Sequence, residues 1–194
     1  MTSQQTTPTS TVTEAGTSRF LRVTVDERDV QVHYNDAGSG AETVVMLHGS
    51  GPGASGWANF NRNVDAFVDA GYRVILLDCL GWNKSDPIVC TTSRSELNAR
   101  TLKAVLDGLN LDRVHIIGNS MGGAIALSLA AAQPGRVRRQ VLMGTVGVAM
   151  PLPPGLDEVW AYEPSLEAME RVMRLFTDDD ELITGDLIRL RLEG

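Results

Sequence analysis

Cysteine is nearly absent from this chain. Its 194 residues hold two, Cys79 and Cys90. That excludes a disulfide scaffold and a four-thiolate zinc site. Histidine is as scarce, with His33, His48 and His115 far apart in sequence, so no metal is expected. Positive charge is in the minority. Seventeen Lys and Arg against 24 Asp and Glu give a formal charge of −7. That balance argues against a nucleic-acid partner and against docking on an anionic membrane. No apolar run approaches the ~18–20 residues of a membrane span. The N-terminus lacks the basic start and apolar stretch of a secretory signal. Met1 to Thr17 instead contains nine Thr or Ser and no Lys or Arg. Residues 1–17 are therefore expected to be a disordered tail, and the protein to be cytoplasmic. What remains is ordinary: 43% hydrophobic and 21% charged residues, with length for one domain and a real core.

From Ser18 the pattern changes. Phe20, Leu21, Val23 and Val25 read as a strand, Asp26 to Asp29 as a polar turn, and Val30, Val32 and Tyr34 as a second strand. Thr43 to Leu47 is continuously apolar, which suits a strand covered on both faces. Phe60, Val64, Phe67 and Val68 keep the spacing of one helix face. Arg73 to Leu77, Arg113 to Ile117 and Val137 to Met143 read as further strands. Between them lie a helix opened by Ser93 and Glu96 at capping-box spacing and an Ala-rich helix from Ala124 to Ala132. Strands alternating with helices imply an α/β fold with a mostly parallel, doubly wound sheet. That core is expected over residues 18–149. Pro151, Pro153, Pro154 and Gly155 read as a stiff linker. Ser165 to Phe176 and Thr184 to Leu192 have helical patterns, so residues 150–194 read as the beginning of a helical lid. No strand pattern follows, and the C-terminal part of such a fold is expected to lie outside this sequence.

Two loops carry chemistry. Gly118-Asn119-Ser120-Met121-Gly122 fits G-x-S-x-G and lies between a buried strand and a helix, where a nucleophile elbow belongs. The strained turn demands small residues two before and two after the serine. The helix N-terminus offers N–H groups to a developing oxyanion. His48-Gly49-Ser50-Gly51-Pro52-Gly53 follows another buried strand, in the place of the second oxyanion donor. It lacks the Gly-Lys-Ser/Thr ending of a phosphate loop.

Together with Trp57-Ala-Asn59-Phe60 and Asp78-Cys-Leu-Gly-Trp-Asn-Lys-Ser-Asp86, these motifs resemble those of the α/β-hydrolases that cleave meta-cleavage products. These are carbon–carbon bond hydrolases of bacterial aromatic catabolism. The resemblance implies roles. Ser120 matches the nucleophile. The Met121 N–H and the backbone at Ser50 and Gly51 match the oxyanion site. Asn59 and Asn119 match residues that hold the dienol and its carboxylate. Phe176 matches an apolar lid wall. Arg191 matches the arginine at the carboxylate–enol end, where a planar guanidinium suits two-oxygen recognition; Arg189 leaves its register open. The resemblance further implies a 2-hydroxy-6-oxo-dienoate substrate, no cofactor, and a homo-oligomer. Two departures stand out: Leu80 replaces a usual proline, and Glu181 a serine near the substrate.

A serine needs a base. In this fold the order is serine, acid, histidine. No histidine follows Ser120, so the triad acid and histidine are expected outside residues 1–194, and this chain alone is expected to be inactive or slow. An esterase on the same scaffold, or a form that only binds a ligand or partner, remain as alternative readings.

Overall fold

The computed structural model describes residues 12–147 and 155–193. The first two strands, β1 (Ser18–Val25) and β2 (Arg28–Ala37), form an antiparallel hairpin. Asp26 and Glu27 close it with φ of 48° and 62°, the left-handed pair that matches strand twist in a two-residue loop. The turn is thus shorter than its four polar residues suggested. Arg28 and Asp29 already belong to β2, and Thr24 Oγ1 donates to Asp29 Oδ1 at 2.7 Å.

The chain before β1 is more ordered than its composition implies. Residues 1–11 of the expected tail lie outside the described residues, but Glu14–Thr17 forms a short helix, α1. Hydrogen bonds rather than apolar burial hold it. Thr13 Oγ1 accepts from Gly16 N, and Asn35 Nδ2 donates to Glu14 O at 3.0 Å and to Thr17 Oγ1 at 2.9 Å. Lys84 pairs with Glu14. A composition count cannot register anchors 21 and 70 residues away.

Then come β3 (Glu42–Leu47), α2 (Gly56–Asp69), β4 (Tyr72–Leu77), α3 (Arg94–Gly108), β5 (Val114–Asn119), α4 (Met121–Ala132) and β6 (Val137–Met143). The sheet order is β1-β2-β4-β3-β5-β6, with β4, β3, β5 and β6 mutually parallel. Alternate strand residues feed two cores. Val44, Met46, Val74 and Leu76 pack with Phe60 and Val64 of α2. Val45, Leu47, Ile75 and Leu77 face Leu102 and Leu106 of α3 and Ile125 and Leu129 of α4. Both faces are covered, which is why these strands are apolar without alternation. On β6 the last three residues are exposed, Val141 by 54%.

The order reverses at β3. The chain steps from β3 to β4 on one side, then to β5 on the other. Open α/β sheets bind ligands at such a switch point, beyond the carboxyl ends of the strands. Over that crevice lie α5 (Leu156–Trp160), α6 (Leu166–Arg174) and α7 (Gly185–Glu193). Ser165 Oγ caps α6 through Ala168 N, and Thr184 Oγ1 accepts from Leu187 N at the start of α7. The short α5 has too few residues for a periodic signal. Most of the proline linker, residues 151–154, falls outside the described residues. Among the described residues no helix is long and apolar enough to cross a membrane.

Candidate active site

Ser120 sits where β5 turns into α4, at φ 50° and ψ −113°. A non-glycine residue held there stores about 1–3 kcal/mol of backbone strain. The surroundings enforce it. A Cβ on Gly118 would come within 2.5 Å of Gly122 O, and one on Gly122 within 2.1 Å of Leu47 O. The Ser120 N–H donates to Met143 O at 2.8 Å, which ties the elbow to β6. The first N–H groups of α4 have no acceptor inside the helix. The Met121 N–H is therefore available to an oxyanion, while the Met121 side chain is buried in the core.

The glycine loop after β3 touches this elbow. A Cβ on Gly49 would stand 3.4 Å from Ser120 Cβ. Asn59, on the first turn of α2, holds the loop: its Oδ1 accepts from Gly49 N at 3.1 Å and from Asn119 Nδ2 at 3.1 Å. The backbone N–H decides how both amides point. The Gly49 N–H can only donate, so Asn59 must offer oxygen, and Asn119 must then offer nitrogen to Asn59, which leaves its own oxygen as an acceptor.

A cavity of about 460 Å³ opens over Ser120, Ser50 and Gly51. Its roof comes from the lid helices. Val159, Met169, Val172 and Leu187 line it, with Phe176 and Arg191. Residues 42–179 match the family model for the alpha/beta hydrolase fold. Over 192 residues the chain is 57% identical to a 2-hydroxy-6-oxononadienedioate/2-hydroxy-6-oxononatrienedioate hydrolase of Paraburkholderia xenovorans, covering 95% of this chain and 66% of that one. A hydrolase of the same name from Dechloromonas aromatica is 53% identical, covering 97% and 68%. Among solved structures, a serine-to-alanine variant of the meta-cleavage product hydrolase of Pseudomonas fluorescens IP01 superposes with a TM-score of 0.81 at 34% identity, covering 89% of this chain and 62% of that one. This chain belongs to the meta-cleavage product hydrolases of the α/β-hydrolase fold. It spans about two thirds of the length of the curated relatives it matches.

In this chain the cavity gathers Ser120, Ser50, Gly51, Asn59, Asn119, Phe176 and Arg191. Of the two arginines, Arg191 alone lines the cavity. Arg189 points to solvent and pairs with Asp186 at 2.6 Å. Arg191 lines the cavity, and burial pushes its pKa down. No carboxylate among the described residues pairs with it. Gly53, at φ +62°, lies so close that a Cβ there would reach 2.3 Å from Arg191 O. The glycine loop is thus seated on the backbone of α7. Glu181 is exposed and outside the cavity wall. Leu80 is buried in the core.

Of this wall the sequence reading names Phe176 alone, although the residues before it carry a signal for the rest. Met169, Val172, Met173 and Phe176 follow i, i+3, i+4, i+7, one face of a helix, and all four line the cavity. Val159 lies on α5, which had no such pattern.

No described histidine serves Ser120. His115, at the far end of β5, faces Glu42 at 3.5 Å. His33 is bonded to Asp78 and Ser18. His48 adjoins the loop but both its nitrogens are engaged. Nε2 accepts from Cys79 N at 3.0 Å, so Nδ1 carries the proton and donates it to Gly49 O at 2.6 Å. The ring is wholly buried, and that burial holds its pKa below the ordinary histidine value. Asp178 to Glu181 form an exposed turn, in which Asp180 pairs with Arg174.

His48 makes stability depend on pH. The unfolded chain takes up a proton near pH 6.5 and the folded ring does not. Stability from this group is complete above that pH and falls as pH drops below it. His48→Gln can keep both hydrogen bonds, amide N–H to Gly49 O and amide oxygen to Cys79 N–H, without titrating. Urea midpoints measured at pH 7.5 and 5.5 should differ less in His48→Gln than in the parent chain. An equal difference in both would remove His48 as the cause.

Proposed function

We propose that this chain carries the nucleophile and most of the substrate pocket of a serine-dependent carbon–carbon bond hydrolase. Its substrates are 2-hydroxy-6-oxo-dienoates, the dienedioate named for its relatives foremost, in bacterial aromatic catabolism. The strained Ser120, packed against a glycine loop under a lid that presents one unpaired guanidinium, is the observation that carries the reading. Arg191 and the Asn119 amide oxygen take the carboxylate–enol end. The dienol ketonises there. Ser120 Oγ then adds to the distal ketone, and the Met121 N–H with the Ser50–Gly51 backbone receives the oxyanion. The carbon–carbon bond breaks, its electron pair returning to the dienol fragment as a proton arrives. Water releases the other half as a carboxylic acid. No cofactor enters these steps. The base that deprotonates Ser120 must come from outside the described residues. We place the protein in the cytoplasm, as a homo-oligomer.

That no base lies within reach of Ser120 among the described residues favours one second reading: a chain that binds the dienol without turning it over. Mixing 2-hydroxy-6-oxononadienedioate with the parent chain and with Ser120→Ala separates the two. The first reading expects the yellow dienol to be cleaved by the parent and only bound by Ser120→Ala. Binding by both with cleavage by neither supports the second. Equal cleavage by both would remove Ser120 as the nucleophile. Hydrolysis of simple aryl esters in place of the dienol would point to an esterase.

A further inference from the structure

The serine at the elbow has no base among the described residues, but another serine has one. Ser18 Oγ lies 2.8 Å from His33 Nε2, and His33 Nδ1 lies 2.7 Å from Asp78 Oδ2. These are nucleophile-to-base and base-to-acid distances of a working Ser-His-Asp arrangement. Three separate elements supply it. Ser18 opens β1, His33 is on the same face of the neighbouring β2, and Asp78 follows β4 directly.

The chemistry of each member is fixed by its neighbours. Asp78 accepts from Gly56 N at 2.8 Å and from Asn83 Nδ2 at 2.6 Å, as well as from His33. These donors hold its carboxyl below the usual carboxylate range against the opposing effect of burial. An ionised Asp78 keeps the imidazole proton on Nδ1. The Nε2 lone pair then faces the Ser18 hydroxyl. His33 is fully buried, with the Phe20 ring 4.9 Å away, whereas Ser18 is partly open to solvent. Arg19 Nη1 donates to the backbone carbonyls of Ser18, at 2.7 Å, and of Gly16, at 3.2 Å, and so pins the backbone at the nucleophile.

We propose that Ser18 is a second nucleophilic serine, with His33 as its general base and Asp78 orienting the imidazole, and that it takes the acyl group of small activated esters. Ser18 Oγ attacks the ester carbonyl as its proton passes to His33 Nε2. The carbonyl–oxygen bond to the leaving alcohol breaks, and that alcohol leaves with the proton from Nε2. Water can later cleave the acyl-serine by the same route. Ser18 is not part of the wall of the 460 Å³ cavity. From β1 to β5 the sheet crosses four strand spacings, about 19 Å. The two serines can therefore be told apart.

The test uses the full chain with Ser120→Ala, so nothing can form at the elbow. The protein is treated with p-nitrophenyl acetate or a fluorophosphonate, then digested and mapped by mass spectrometry. The expected result is an adduct on Ser18, absent when Ser18→Ala is added. Adding His33→Gln should slow labelling at least about 100-fold. Should that variant not fold, the position of the adduct in the Ser120→Ala chain, on Ser18 or elsewhere, decides alone. A folded Ser120→Ala chain with no Ser18 adduct, or a folded His33→Gln variant labelled just as fast, would overturn the proposal and leave the three side chains as a brace between β1, β2 and β4. Either result is independent of whether Ser120 cleaves a dienol.

Discussion

Gly122→Ala should destabilise the protein by about 3 kcal/mol or more, the upper end of what overpacking costs. The added methyl would stand 2.1 Å from Leu47 O and 2.6 Å from Leu47 C. Both are backbone atoms at the end of a strand paired on both sides, with β4 and β5. Neither can yield without breaking the sheet at its switch point. Two other glycines calibrate the claim. At Gly123 the added methyl meets Thr145 Oγ1 at 2.1 Å, Cγ2 at 2.8 Å and Cβ at 2.9 Å, all side-chain atoms of one residue in the loop after β6 rather than strand backbone. At Gly51 it meets nothing within 4 Å. Urea unfolding should therefore rank Gly122→Ala well below Gly123→Ala, with Gly51→Ala within about 0.5 kcal/mol of the parent. If Gly122→Ala matched Gly51→Ala, the close approach of α4 to β3 would be wrong, and with it the placement of Ser120 against the glycine loop.

The same contact explains why the elbow was legible in the sequence. Its steric demand is local: a turn this tight admits only small residues two before and two after the serine, so five consecutive letters report it. The parallel core was legible for a similar reason, since a strand buried on both faces must be apolar throughout. Less visible was what depends on pairing across the chain. The helix at Glu14–Thr17 has a polar composition that reads as tail, and its anchors Asn35 and Lys84 are distant in sequence. Ser18, His33 and Asp78 carry no shared motif. Only the hairpin register and the end of β4 bring them together. In sequence His33 looks like any polar residue alternating along a strand. Arg189 and Arg191 lie two apart, and only the rotation of α7 against the glycine loop decides which one faces the cavity.

That rotation sets up the other large expected effect. Arg191→Met should weaken binding of a 2-hydroxydienoate carboxylate by about 10- to 100-fold, whereas Arg189→Met should leave it unchanged. A hydrogen bond to a charged group contributes about 1.5–3 kcal/mol, and about 1.4 kcal/mol is tenfold in affinity. Methionine keeps much of the apolar stem that packs in the wall, so the loss reports the guanidinium rather than a cavity. Lysine at 191 should recover only part of the affinity, because a point charge cannot give two parallel N–H donors to two oxygens. The ligand-free protein should respond in the opposite direction. The Arg191 charge is partly desolvated with no carboxylate to compensate among the described residues, so Arg191→Met should leave stability equal or slightly raised. Calorimetric titration and thermal melting of the same samples give both numbers. Weaker binding with undiminished stability marks a residue held under strain for a ligand. A parallel loss of both would mean that Arg191 props the lid against Gly53 and that the carboxylate is bound by something else.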